Sequence, residues 1–196
     1  MQLLKKAVLL FAVILVSHAI YAQRISVSEG KIPADLKNEK SINIEFTYDP
    51  MGVGKFEREA DYVKAKTEEY NKSEAGRGDE WAKKWVNDRA SRFEPRFNEE
   101  FSSNSSFTVD PNAKYTIVFH TTFMEPGFNV GVARKRAFIN AEAVIVETAN
   151  RNKILTKLVI DNSPARSFWG TDFDTGERFA AAYAAAGKKL AKFIIK

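Results

Sequence analysis

The chain contains no cysteine among its 196 residues. It therefore forms no disulfide, has no thiolate nucleophile or cysteine-ligated zinc site, and lacks the lipidated cysteine of a bacterial lipoprotein. Without covalent cross-links the fold depends on its hydrophobic core. A chain of this length is long enough to form one domain with such a core.

Histidine is almost as scarce, because only His18 and His120 occur. One imidazole inside the domain does not provide the several nitrogen or sulfur ligands that zinc requires. A Ser-His-Asp triad would have to use His120, and the chain has no G-x-S-x-G nucleophile elbow. We therefore predict that His120 is structural, and we assign no catalytic residue, metal site or cofactor.

An apolar run at residues 7–16 follows two lysines and leads into small residues that end at Ala22. This pattern is typical of a secretory signal peptide, and the run is too short to span a bilayer comfortably. We predict that residues 1–22 are removed by a cut after Ala22. Ala19 is the alternative cut site, and a retained membrane anchor is the alternative interpretation. The mature chain is then exported to the periplasm or the extracellular space, with no membrane span and no lipid anchor.

The chain also lacks a strong charge of one sign. Its formal net charge is +5 at pH 7, and loss of Lys5 and Lys6 with the signal peptide lowers this to +3. Domains that bind nucleic acid carry a much stronger basic footprint on one face. The mild charge therefore predicts that nucleic acid is not a partner.

Four segments have the patterns of β-strands. The first two alternate apolar and polar residues, as a strand with one buried face does, and the third is nearly apolar on both faces around Val144 to Val146. Residues 23–40 form a polar leader ahead of the first of them. We predict strands at residues 42–48, 115–123, 138–148 and 154–160.

Helical spacing of apolar residues predicts three helices. The first covers the region from Phe56 to Tyr70, and the last is rich in alanine and runs to about Ile195. Pro95 should kink the second helix near Ser91. A period of four residues drifts by about 40° per step on a 3.6-residue helix, so the apolar stripe of the second helix should wind around it. The stripe consists of Trp81, Trp85, Phe93, Phe97 and Phe101.

The order of these elements is β-α-α-β-β-β-α, which predicts a single α+β domain over residues 41–196. The last three strands follow one another directly and should form an antiparallel meander. The first strand joins this meander at its edge or in its middle. We therefore expect a two-layer sandwich in which a mainly antiparallel four-stranded sheet carries the helices on one face.

Three blocks of the chain resemble small uncharacterised secreted proteins of Bacteroidetes. The order of elements from Ser41 to the C-terminus also resembles envelope domains of unknown function related to the periplasmic part of the curli secretion channel. These resemblances imply an envelope location and an α+β fold, and they carry over no catalytic residue. The three blocks are the signal peptide ending in YAQ, FHTTFMEPGFNVGVARKRAFINAEAVIVET and DFDTGERFAAAYAAAGKKLAKFI.

A small group of acidic residues precedes the last helix. Asp172, Asp174 and Glu177 surround Gly176 and match part of a calcium loop, in which oxygens at alternate positions wrap a hard cation. The full pattern is missing, because the sequence runs directly into the helix. Helix capping and compensation of the helix dipole explain the same acids without a metal. Calcium binding stays open as the weaker alternative.

Tryptophan is a further candidate for binding, because aromatic platforms bind sugars. Trp169 stands beside Gly170 in an irregular segment, and its exposure is left open. Trp81 and Trp85 lie four residues apart on a predicted helix, which favours the core.

The connection between the second and third predicted strands is long for a hairpin, and long loops in compact domains tend to be functional. It opens with Glu125-Pro126-Gly127-Phe128, the chemistry of a type II turn. In one interpretation its apolar residues fold back on the sheet. In the other they form a projecting arm that docks an envelope protein or an anionic envelope polymer. The candidate residues are Phe128, Val130 and Val132, with Arg134, Lys135 and Arg136 at the base.

These observations favour an exported, non-enzymatic cell-envelope protein with an accessory or binding role. A small hydrolase acting on envelope glycans is one alternative, because aspartate and glutamate are plentiful. A calcium- or carbohydrate-binding module is the other. The hydrolase would show at least two carboxyl groups with shifted pKa values converging in a pocket.

Overall fold

The structure is a computed structural model that describes residues 23–130, 133–165 and 174–196. The predicted signal peptide lies outside this range. The helices within it are α1 (Glu59–Ser73), α2 (Arg77–Asp88), α3 (Glu94–Ser103) and α4 (Gly176–Ile194), with a short 3₁₀ turn at Leu36–Asn38. The strands within it are β1 (Arg24–Gly30), β2 (Ser41–Thr47), β3 (Gly52–Val53), β4 (Thr108–Val109), β5 (Tyr115–Glu125), β6 (Phe128–Val130), β7 (Ala133–Lys135), β8 (Phe138–Glu147) and β9 (Asn150–Pro164).

Seven of these strands form one mixed sheet in the order β1-β9-β8-β5-β2-β4, and β3 pairs with β5 beyond the end of β2. Strands β5, β8 and β9 form the predicted antiparallel meander. Strand β2 lies parallel to β5, with Ile44 opposite Ile117 and Phe46 opposite Phe119. The connection from β2 to β5 contains three α-helices and is long enough for the crossover that parallel strands require.

The expectation of a mainly antiparallel four-stranded sheet is therefore wrong in two respects. The sheet is larger, because β1, β3 and β4 also belong to it, and it is mixed, because β2, β3 and β4 pair in parallel. The region assigned to a polar leader contains β1, which pairs antiparallel with β9 from Arg24 opposite Asp161. Its side chains are mostly exposed. An edge strand with little buried surface has only a weak apolar pattern, so it resembles a leader in the sequence.

A π-helical turn at Arg89–Phe93 joins α2 to α3 at the place where a kink was predicted. It contains Ser91, whose hydroxyl donates to the Asn87 carbonyl at 2.8 Å. A π turn is wider than an α turn, so it takes up the drift of a four-residue period. The apolar stripe consequently does not wind to the outside, and all five of its aromatic side chains are buried: Trp81, Trp85, Phe93, Phe97 and Phe101.

The helices contact the sheet through aromatic side chains. The Phe97 ring of α3 packs on the Phe119 ring of β5 with centroids 4.6 Å apart. Tyr183 of α4 forms a 2.6 Å hydrogen bond with the Thr121 hydroxyl of the same strand. Phe119 and Thr121 are two residues apart and therefore share one face of β5. In the described residues, no helix has the length and apolar character needed to cross a membrane.

Candidate functional site

The predicted arm is a separate β-hairpin that leaves the main sheet after Glu125. Among the described strands, β6 and β7 pair only with each other, in antiparallel register. The hairpin begins at Gly127, whose φ of +61° has the sign that the third position of a type II turn requires. We call this element, Phe128–Val130 with Ala133–Lys135, the arm.

The register of the arm places its apolar side chains on one face, which we call the apolar face. Phe128 lies opposite Lys135, and Val130 lies opposite Ala133, which places these four side chains on one face. Asn129 and Arg134 face each other on the other side.

The side chains of the arm are exposed, including Phe128 at 37% and Val130 at 57%. This exposure favours the interpretation in which Phe128 and Val130 project from the sheet. Val132, the third apolar candidate, lies outside the described residues. Arg136 follows the arm and is exposed, and the next residue, Ala137, is fully buried. The arm is thus a projection that starts and ends at the sheet.

Glu125 holds the base of the arm. Its carboxylate accepts a 3.1 Å hydrogen bond from the Gly127 backbone N–H and lies 2.7 Å from the Lys135 ammonium. A Cβ at position 127 would overlap the carbonyl oxygen of Lys135, so the two arm backbones approach too closely for any residue but glycine. The ion pair between Lys135 and Glu125 therefore compensates part of the Lys135 charge and holds the base of the arm in place.

The acidic group before α4 is bound by basic residues. Asp174 lies 3.2 Å from Lys84 and 3.0 Å from Arg92, and Glu177 lies 3.5 Å from Arg92. Asp174 also accepts a 3.2 Å hydrogen bond from the Gly176 backbone N–H at the start of α4, but the N-cap residue of this helix is Thr175. Asp172 and Trp169 lie outside the described residues. Within the described residues, no group of three or more histidine or acidic side chains is placed to hold a metal ion.

Asp88 and Asp174 share the same two cations and have opposite pKa shifts. Burial raises the pKa of the Asp88 carboxyl, against the attraction of Lys84 and Arg92. Burial also acts to raise the pKa of Asp174, but the Lys84 hydrogen bond and the charges of Lys84 and Arg92 outweigh it and hold the pKa below its usual value. Opposite shifts in neighbouring carboxyls are typical of acid–base pairs. Here Lys84 and Arg92 already bind both carboxylates, which is also the arrangement of a structural ion-pair cluster.

The depressed pKa of Asp174 predicts a pH-dependent contribution to stability. An acid whose pKa is lower in the folded state stabilises the fold above its unfolded-state pKa, and this contribution is lost as the pH falls through the folded-state pKa. We expect Asp174→Asn to lower the free energy of unfolding by about 1 kcal/mol at neutral pH, since the pair is partly exposed. The difference from the wild type should shrink as the pH falls towards about 3.

Chemical denaturation of both proteins between pH 7 and 3 checks this prediction. Glu177→Gln is the matched control, because the Glu177 side chain is 61% exposed and its contact with Arg92 is longer. We expect almost no effect from that change. A difference between the wild type and Asp174→Asn that stays constant over the whole pH range would contradict the linkage.

A second polar cluster was missed by sequence reasoning. The Tyr48 hydroxyl donates to Glu94 at 3.0 Å, and the Arg89 guanidinium lies 4.3 Å from the centre of the Tyr48 ring. Burial, followed by the nearby Tyr183 and Glu94, raises the pKa of Tyr48. Arg89 also pairs with Glu59 at the start of α1. The position of Arg89 in line with the buried aromatic residues of α2 and α3 was the signal for its partly buried role.

Two further predictions concern single residues. Trp81 and Trp85 are 3% and 5% exposed and lie in the core, as predicted. His120 lies between the buried Phe119 and Thr121 and points to the other face of β5, where its Nδ1 is 2.9 Å from the Thr47 hydroxyl. The ring is thus hydrogen-bonded across the parallel β2–β5 pair, which agrees with a structural histidine.

The comparisons with known proteins give little for this chain. No family model and no curated protein sequence matches it. Two solved structures of PelC dodecamers from Paraburkholderia phytofirmans, one of them a single-substitution variant, resemble it with 9% sequence identity and a TM-score of 0.36. Each match covers 84% of this chain, and 97% or 96% of the PelC chain. A likeness at this level transfers no property to this chain, and the resemblances drawn from the sequence stay predictions.

Proposed function

We propose that this chain is an exported, non-enzymatic cell-envelope protein that binds a partner protein through the apolar face of the arm. The observation that carries the proposal is the exposure of Phe128 and Val130 on one face of a hairpin that pairs with no other strand among the described residues. The expected domain is a two-layer α+β sandwich with its helices on one face of the sheet. Aromatic contacts from α3 and α4 to one face of β5 support that arrangement.

The energetics favour a protein partner. An exposed apolar patch on a monomer is a liability, and such patches mark interaction sites. Full burial of an exposed Phe or Val side chain contributes about 1.5–3 kcal/mol before the costs of association, and a partner that covers the exposed parts of Phe128 and Val130 gains the corresponding fraction. Glu125 and the two-stranded pairing hold the arm in one shape, so less conformational entropy is lost on binding.

A non-enzymatic role is supported by the state of the carboxylates. Three buried or partly buried acids each have a cationic or hydrogen-bonding partner within the fold. Asp88 and Asp174 share Lys84 and Arg92, and Glu94 accepts from Tyr48. Such contacts stabilise the packing of helices, and they compete with any substrate for the same oxygens.

The proposal predicts that changes in the apolar face of the arm reduce binding but not stability. We expect the double variant Phe128→Ser/Val130→Ser to lose at least about tenfold in partner affinity, which corresponds to 1.4 kcal/mol. Its melting temperature should stay within a few degrees of the wild type, since both side chains are exposed. Affinity capture from envelope extract of the source organism, followed by titration of the retained protein, measures the first effect. A thermal melt measures the second.

Two controls make the experiment specific. Asn129→Ala changes the polar face of the same hairpin, and Val86→Ser removes a 51% exposed apolar side chain from α2. Both variants should bind like the wild type. A stability loss of about 2–4 kcal/mol in the double variant would show that the arm belongs to the core. Equal binding by the double variant and the wild type would refute the docking role.

An anionic envelope polymer is the second candidate partner, because Arg134 lies on the polar face of the arm and Arg136 follows it. Salt separates the two candidates. At about 1 M salt the Debye length falls to about 3 Å, so binding through arginine charges is largely screened whereas apolar contact persists. Loss of binding in high salt, together with sensitivity to Arg134→Ala and not to Phe128→Ser, would favour the polymer.

A further inference from the structure

Gln23 is the first described residue, directly before β1, and both its backbone and its side chain have unusual surroundings. Its carbonyl oxygen accepts a hydrogen bond from the Lys189 ammonium of α4. Its side-chain amide nitrogen, Nε2, is buried and has no hydrogen-bond partner among the described residues. Unsatisfied buried donors are rare in folded proteins and call for an explanation.

The predicted cut after Ala22 would add a second unfavourable group at the same place. It would leave Gln23 with a free α-amino group, which is largely protonated at neutral pH. That positive charge would lie on the residue whose carbonyl oxygen binds Lys189, and like charges at short range repel each other. An unmodified N-terminus would thus combine an orphan amide donor with two neighbouring cations.

We propose that Gln23 is a modification site and that the mature chain begins with pyroglutamate. The inference rests on the proposed export, because the α-amino group exists only after cleavage. The α-nitrogen attacks the side-chain carbonyl carbon, Cδ, and forms a C–N bond. The Cδ–Nε2 bond breaks, and Nε2 leaves as ammonia with the proton of the α-amine. The reaction is neither an oxidation nor a reduction, and it needs no co-reactant.

Ring closure leaves the backbone contacts of Gln23 unchanged. The lactam contains only the α-nitrogen, Cα, Cβ, Cγ and Cδ of Gln23, so closure requires side-chain rotations and leaves the carbonyl group in place. The hydrogen bond from Lys189 and the pairing of Arg24 with Asp161 are therefore retained. The product has lost the orphan Nε2 and has no positive charge on its first residue. Both unfavourable features are removed by one reaction.

Intact mass measurement of the exported protein, purified without a tag at its N-terminus, tests the proposal. We expect a chain that starts at position 23 with a mass lower by one ammonia than the unmodified form. It should resist Edman degradation, and pyroglutamyl aminopeptidase should expose Arg24 as the new first residue. Gln23→Asn is the matched control, because it keeps a side-chain amide but is too short for a five-membered lactam. That variant should keep its full mass and a free amine.

The possible start points separate this inference from the proposed export. A chain that starts at Gln23 with its full mass and a free amine would overturn the modification and leave export intact. A chain that starts at Ile20 would do the same, since Gln23 would then not be terminal. A secreted product that starts at Met1 would overturn both proposals.

Discussion

Phe97→Ala should lower the free energy of unfolding by about 3–5 kcal/mol, which is the usual cost of removing a buried phenylalanine ring. The Phe97 side chain of α3 is fully buried. Its ring centroid lies 4.6 Å from that of Phe119 and 5.2 Å from that of Phe46, which belong to neighbouring parallel strands. Alanine would leave a cavity where the helix meets two strands at once.

Urea denaturation followed by tryptophan fluorescence measures this loss, and Phe97→Leu serves as the control. Leucine fills most of the cavity, so its cost should be clearly smaller. A loss below about 1 kcal/mol for Phe97→Ala would mean that α3 does not pack on the sheet as described. The Phe128→Ser/Val130→Ser variant, measured in the same way, should stay close to the wild type.

Gly187→Ala is expected to destabilise the protein although alanine is the better helix former. In an exposed helix interior this change stabilises by about 1 kcal/mol. Here a Cβ at position 187 would overlap the carbonyl oxygen of Phe97 and lie 3.1 Å from its carbonyl carbon. Backbone atoms do not move aside as flexible side chains do, so α3 and α4 have to separate. We expect a net loss of about 1–3 kcal/mol.

The control for this change is Ala184→Gly, one turn earlier in α4, where the side chain is only half-buried. It measures the cost of a glycine in the same helix and should lower stability by about 1 kcal/mol. The sign of the stability change in Gly187→Ala tests whether α3 and α4 are in close contact at this position. If this variant melts at a higher temperature than the wild type, α3 and α4 do not approach at Gly187.

The strands of the sheet show which structural features a local sequence pattern predicts and which it does not. Strands β5, β8 and β9 were predicted from short-range apolar patterns, alternating in β5 and nearly apolar on both faces in part of β8, and such patterns reflect burial along each strand. The position of β2, at the edge or in the middle of the meander, was left open, because its partner lies about 70 residues further along the chain. Strand β1 was missed altogether. At the edge of a sheet it buries little surface, so its sequence carries little apolar signal.

The prediction for the helical segment from Trp81 to Phe101 was confirmed in one respect and wrong in another. Pro95 correctly indicated an irregularity near Ser91, because proline removes a backbone donor. The π turn itself was not predicted, and the stripe was expected to wind around the helix. Burial of all five aromatic rings against the same core favours the wider turn, and a sequence does not display that tertiary contribution.

The sequence by itself determined the α+β class, the helices, the buried aromatic residues and the absence of disulfides and cysteine-ligated metals. These properties follow from residue types and from short-range periodicity, which act within a few turns of the chain. Only the tertiary structure decided that Phe128 and Val130 project while Asp174 is bound by Lys84 and Arg92. Exposure and ion pairing depend on which distant segments of the chain come into contact. The local sequence pattern does not specify these long-range contacts.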